Sequence, residues 1–184
     1  MIGQRFSQAY TDVHVEVTSA TSGGTAWVYE TISGTPFLCG KLLNNSTDMF
    51  QFKAEMPHTR NIGSVLADIH YHYIIDANAT GADQTVIWDI SYCWLKAGDV
   101  MPATASWTVI PTITQVLTGT PVARTYGLYQ FSVNLPCPVG ETYGSMLFVQ
   151  AIRGNGTYTG KIAIIDAGAH CAMDRNGSIN VTTD

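Results

Sequence analysis

The sequence predicts an all-β fold, a single-domain jelly-roll β-sandwich with an N-terminal β-arm or extension. Three observations predict it. No window holds a convincing 3.6-residue apolar period, whereas period-two alternation recurs along the chain. The alternating runs number roughly eight to ten, at sandwich-like spacings. Long loops at about 76–85 and 97–105 suit Greek-key connections better than a meander. A jelly roll uses eight core strands in two sheets. The alternative, an immunoglobulin-like sandwich, calls for a Cys–Trp–Cys arrangement with a tyrosine two residues before the second cysteine, which is absent here.

The elements follow in order. Val13, Val15 and Val17 alternate with His14, Glu16 and Thr18, and a Ser-Gly-Gly turn follows at 22–24. Trp27-Val28-Tyr29, Phe37-Leu38-Cys39 and Met49 to Phe52 read as short strands, with a turn at Asn44-Asn45-Ser46. Ile69, Tyr71, Tyr73 and Ile75 alternate with Asp68, His70, His72 and Ile74. In the clearest strand, Val86, Trp88, Ile90, Tyr92 and Trp94 share one face, and Asp89, Ser91 and Cys93 the other. Lys96 to Asp99 is a turn, and Pro102 blocks a helix. Ser106 to Val116 is Thr-, Val- and Ile-rich, with Pro111 at a bend or edge. Tyr126 to Leu135 alternates again, and Gly144 to Ile152 is almost wholly apolar, as in a strand buried on both faces. Gly154, Gly156 and Gly160 mark a hairpin turn before a last strand over Lys161 to Met173, where Gly168 is the candidate bulge.

Composition narrows function by exclusion. Only 12% of residues are charged, and the net charge is −5. Nine scattered Lys and Arg form no basic patch for nucleic acid. The 46% hydrophobic content excludes a disordered chain. No apolar run approaches the roughly 18 residues of a membrane span, and the N-terminal residues lack the apolar core of a secretory signal. The expected site of synthesis is therefore a cytosol, and Cys39, Cys93, Cys137 and Cys171, none in a C-x-x-C, are expected as free thiols.

No G-x-S-x-G, P-loop or H-E-x-x-H occurs, and no carboxylate pair can be placed across a cleft, so the chain is read as no enzyme and as needing no cofactor. His70 and His72, two apart on a strand, point to the same face. H-x-H on a strand can present two imidazoles to a metal. His170 is the candidate third ligand, with Asp68 or Asp174 as a carboxylate. The commoner role for such residues is structural, bonding backbone or Asp, and a metal on a threefold axis is a further arrangement. Trp88, Tyr92 and Trp94 read as core ahead of a sugar-binding platform; Trp27 and Trp107 are the other candidates for ligand stacking.

Several motifs in sequence order carry a resemblance: Asp68-Ile69-His70-Tyr71-His72-Tyr73, Val86-Ile87-Trp88-Asp89-Ile90-Ser91-Tyr92, Gly98-Asp99-Val100-Met101-Pro102, Tyr158-Thr159-Gly160, and His170 to Ser178. Together they resemble a widespread group of bacteriophage proteins encoded among virion structural genes. The resemblance spans roughly residues 52–180. Tyr73 stands where that group commonly has tryptophan, and Cys171 where it has an aromatic. It implies a virion component, a β-sandwich assembling as a homotrimer. On this basis residues 1–50 are expected as an arm or added strands with a docking role, and 51–184 as the sandwich. The expected function is capsid decoration (cement), bridging capsomers of the phage major capsid protein on the outer capsid surface, after synthesis in the bacterial cytoplasm. The alternative is a receptor- or glycan-binding module of a head fibre or tail fibre, recognising a host surface glycan. Neither role involves nucleic acid or membrane. A metal-assisted hydrolase built on His70, His72 and His170 is the third reading.

Overall fold

The computed structural model describes residues 9–15, 17–20, 28–32, 35–39, 48–55, 67–135 and 145–173, with side chains at 48–55, 68–131, 135 and 145–170. The strands are β1 (Ala9–Val15), β2 (Val17–Ala20), β3 (Val28–Ile32), β4 (Thr35–Cys39), β5 (Met49–Glu55), β6 (Ala67–Ile75), β7 (Gln84–Leu95), β8 (Thr108–Leu117), β9 (Tyr126–Leu135), β10 (Met146–Gly154) and β11 (Ile162–Met173). Among the described residues the sole helical element is a single 3₁₀ turn, Thr104–Ser106.

The strands form two antiparallel sheets, ordered β1-β11-β6-β9 and β2-β5-β10-β7-β8, plus a separate β3-β4 ribbon. Among β1 and β5 to β11, one sheet takes the first, eighth, third and sixth strands in chain order. The other takes the second, seventh, fourth and fifth. That interleaving is the jelly roll: consecutive strands mostly alternate between sheets, and each sheet is assembled from distant parts of the chain. Residues 1–50 supply β1 and β2, one residue apart but in different sheets, as edge strands of the sandwich.

Alternation decides what lies between the sheets. β6 turns Ile69, Tyr71 and Ile75 inward; β7 turns Val86, Trp88, Ile90 and Tyr92 inward; β10 turns Leu147, Val149 and Ala151 inward. The centre is aromatic. Phe50, Tyr71, Trp88 and Phe131 stack edge to face or tilted, with centroids 5.1–6.2 Å apart, the geometry their quadrupoles favour. Trp88 and Tyr92 are thus core, and Trp94 packs against it. A buried amide spans the sheets here. Gln115 Oε1 accepts from the Tyr71 hydroxyl and, at 3.1 Å, from Trp88 Nε1–H. Burial pushes the Tyr71 hydroxyl well above the usual tyrosine range.

Several local expectations are corrected. The Gly154–Gly160 segment is no hairpin: β10 pairs with β5 and β7, and β11 with β1 and β6, so the segment crosses between sheets. The loop at 97–105 joins β7 to its own partner β8, so it is the hairpin link, turned at Gly98 with φ +92°. The β6–β7 loop does cross between sheets. The β11 bulge lies between Ile164 and Asp166, not at Gly168. β10 is buried on its inner face and half-buried on its outer one. Pro111 sits where expected: β8 is an edge strand, and its register against β7 slips between Ile110 and Ile113.

Candidate functional site

Two surface features of the sandwich can carry function: the outer face of the four-stranded sheet and the side formed by β8 and β9.

The first gathers the histidines. On β6, Asp68, His70 and His72 point away from the core. The β11 bulge changes the parity of that strand, so Ile162 and Ile164 face inward before it and Ala167 and Ala169 after it. Asp166, Gly168 and His170 are thereby carried outward, opposite His72, His70 and Asp68 respectively. On β1 the register sets Asp12 opposite His170 and His14 opposite Gly168. The His70 ring stacks on His170, with centroids 4.6 Å apart and planes 23° from parallel, and meets His72 edge-on at 5.5 Å. His70 is 2% exposed. From β9, Gln130 Nε2 donates to Asp68 Oδ2 at 3.0 Å, and Tyr126 Oη bonds His72 Nδ1.

Strand parity and register thus bring His70, His72 and His170 together, with Asp68 beside them; Asp174 and Cys171's side chain lie outside the described residues. The arrangement is a ring stack. A metal needs in-plane nitrogen lone pairs converging at about 2.0–2.1 Å, whereas stacked rings present their faces to one another. Among the described residues, no group of three or more His, Cys, Asp or Glu is disposed to hold a metal ion.

The stacking candidates resolve differently from the sugar-platform reading. Trp107 is 9% exposed, and its Nε1–H donates to the Pro102 carbonyl at 3.3 Å. Tyr158, in the β10–β11 link at 155–161, is buried. Trp27 lies outside the described residues.

The Tyr158-Thr159-Gly160 motif has a structural task. The Tyr158 hydroxyl donates to the Ala77 carbonyl at 2.9 Å and accepts from its N–H at 3.3 Å, tying one sheet-crossing loop to the other. A Cβ at Gly160 would run into the Tyr158 ring. Arg153, read from sequence as part of a turn, is completely buried. Its Nη2 donates to the Tyr158 carbonyl at 2.9 Å, and its guanidinium lies 5.6 Å from the Tyr158 ring centroid. Burial lowers its pKa, opposed by Tyr158, Tyr71 and Asp48. A cation closing an apolar strand directly before a glycine-rich crossing was its one signal in the sequence.

The second feature was not anticipated. Among the described residues the exposed large hydrophobics are Val100, Met101, Val109, Val116, Val122, Tyr126 and Leu128. All belong to the β7–β8 loop, β8, the β8–β9 link or β9, with Tyr126 and Leu128 on the outer face of the four-stranded sheet, opposite Ile74 and His72, and Val109 and Val116 on the outer face of the five-stranded sheet, opposite Ser91 and Thr85. The stretch Thr108–Leu135 holds one charged residue, Arg124, in a chain that is 12% charged.

No protein-family model and no curated protein matches the chain. Among solved structures it is similar to the Eiger TNF from S. frugiperda at 8% identity, over 95% of this chain and 98% of that one, with a TM-score of 0.32.

Proposed function

We propose that the chain is a bacteriophage virion structural protein, a capsid decoration protein that works as a homotrimer and stabilises the shell by bridging capsomers. The observation that carries this reading is the β8–β9 side. Monomeric soluble proteins rarely leave a large apolar area uncovered. The stretch Thr108–Leu135, with Arg124 as its one charge, exposes Val109, Val116, Val122, Tyr126 and Leu128, the charge-poor composition of a lasting protein interface. The motif resemblance of residues 52–180 to virion proteins supplies the class of neighbour. On this reading the work is mechanical: area buried between subunits opposes internal DNA pressure, and no bond is made or broken. The phage major capsid protein is the shell partner, and the outer capsid surface is the location.

The glycan-binding alternative has less to stand on. Of its stacking candidates, Trp107 is buried and Trp27 lies outside the described residues, leaving Tyr126 as the exposed aromatic among the described residues. The discriminating experiment mixes purified protein with undecorated shells and heats them. Decoration predicts saturable binding in hundreds of copies and a higher shell-disruption temperature. Shells that bind none of the protein overturn the reading.

A further inference from the structure

The link between β10 and β11 carries the dipeptide Asn155-Gly156. We propose that Asn155 is a self-modification site: its side chain closes a ring onto the Gly156 nitrogen, and the isoaspartate that results lifts the link off the start of β7. The proposal stands apart from the virion reading, since every step occurs within one copy of the chain.

The reaction needs only water. The Gly156 amide nitrogen gives up its proton and attacks Asn155 Cγ. The new N–Cγ bond forms as the Cγ–Nδ2 bond breaks, and Nδ2 leaves as ammonia, taking up that proton. Water then opens the ring at one of its two carbonyls. Opening at Cγ gives aspartate. Opening at the original main-chain carbonyl routes the chain through Cβ and Cγ, which is isoaspartate, one backbone atom longer and one negative charge richer.

Three observations select this asparagine. Asn155 is exposed and lies outside any strand. Among the described residues, no hydrogen bond engages its side-chain amide or the Gly156 N–H, so neither reacting group is held back. The residue that follows has no Cβ to shield its nitrogen. That glycine is imposed by the fold, because a Cβ at 156 would overlap the Thr85 carbonyl oxygen. The packing that holds the crossing therefore also supplies the least hindered nucleophile. Asn78 is the contrast: its Oδ1 accepts from the Ala123 N–H at 2.7 Å, and the buried Ala79 follows it.

The consequence comes from the anchors on either side. Gly154 ends β10 opposite Ile87, where a Cβ would stand 3.1 Å from the Ile87 Cγ2. Beyond Asn155, Thr157 Oγ1 accepts from the Thr85 N–H at 2.7 Å, and the Tyr158 N–H donates to the Thr85 carbonyl at 3.0 Å. Asn155 alone spans the interval between these two seats on β7. An extra main-chain atom there leaves one seat unfilled, and the exposed Thr157 bond gives first.

The test ages the purified full chain, warm, at neutral and at mildly alkaline pH. Peptide mapping with electron-transfer fragmentation separates isoaspartate from aspartate. Isoaspartate should build up at 155 at least tenfold faster than Asn78 converts. It should build up faster still at the higher pH, where more of the amide nitrogen is without its proton. The converted chain, resolved by its extra charge on an anion exchanger, should melt several degrees lower, as losing one or two hydrogen bonds does in a chain of this size. Asn155→Asp carries the charge without the extra atom and should melt like the wild type. Asn155→Gln, aged in parallel, should keep its melting temperature. An Asn155 that stays intact in the folded chain while the same residues convert in a synthetic peptide overturns the proposal. So does a converted chain that melts like the unconverted one, or an Asn155→Asp chain that melts as low as the isoaspartate form.

Discussion

Gly156 lies directly against the backbone of Thr85. A Cβ at 156 would sit 2.8 Å from the Thr85 carbonyl carbon and 3.1 Å from the Val86 Cα, and closer still to the carbonyl oxygen. The Tyr158 N–H donates to that same oxygen at 3.0 Å, and Thr157 Oγ1 accepts from the Thr85 N–H at 2.7 Å. The start of β7 is therefore clasped by the link that carries the chain from one sheet to the other.

Gly156→Ala should accordingly be costly, because the obstructing atoms are backbone and cannot swing aside. Overpacking of this kind costs about 1–3 kcal/mol, read as a lower urea midpoint with unchanged slope. Gly81→Ala is the control. Nothing lies within 4 Å of a Cβ there, so it should be neutral or gain about 0.4–1 kcal/mol from a less flexible unfolded chain. Equal effects at both positions would remove the steric account.

Gln115→Ala should destabilise the sandwich by about 2–4 kcal/mol. It strands the Tyr71 hydroxyl and the Trp88 indole N–H in the core, and each buried donor without an acceptor costs about 1–3 kcal/mol. Gln115→Met refills the space but restores no acceptor, so it should recover only part of the loss in urea melts. Full recovery by Met would mean that volume, rather than hydrogen bonding, sets the cost.

Alkali should unfold the protein through Tyr71. Burial raises its folded pKa, while an unfolded tyrosine loses its proton near pH 10. Between those values the native state holds more protons than the unfolded one, so stability falls as pH rises. The contribution is complete below about pH 10 and is lost on climbing through the folded pKa. Burial raises Tyr73, Tyr129 and Tyr158 in the same sense. A Tyr71→Phe variant should show a shallower decline in stability above pH 10; an unchanged decline would assign it elsewhere.

Zinc should leave the melting temperature where it is. A metal bound to the native state adds stability in proportion to the logarithm of its concentration over its dissociation constant, and the stacked rings of His70 and His170 offer no convergent lone pairs. A rise in melting temperature that disappears in His170→Ala would show a three-histidine centre.

Much of the fold was legible because alternation is local. Val86 to Trp94 declared its two faces, and Pro111 declared an edge. The β11 bulge, expected at Gly168, is placed only by the fold, where the inward residues change from 162 and 164 to 167 and 169. The hairpin expected at Gly154–Gly160 failed because glycine-rich turns look alike whether the strands they join pair with each other or part company. That choice is made by distant partners such as β5 and β6. The histidine cluster was half legible. H-x-H fixes a shared face, but ring orientation depends on β11's slipped register. The apolar side was missed altogether: Val109, Val116, Tyr126 and Leu128 look in sequence like any half-buried strand residues, and their exposure follows only once β8 and β9 are seen to be terminal in their sheets.

One pairing has a kinetic consequence. β1 finds its partner in β11, with Ala9 opposite Met173, so β1 waits until β11, far downstream, has been made. The four-stranded sheet cannot close before β11 is made, and contacts of such long sequence separation form slowly. Until then the newborn chain carries β11's place on β6 as an open groove. Chaperone dependence and sensitivity to C-terminal truncation should therefore exceed those of a sandwich whose end strands pair with near neighbours.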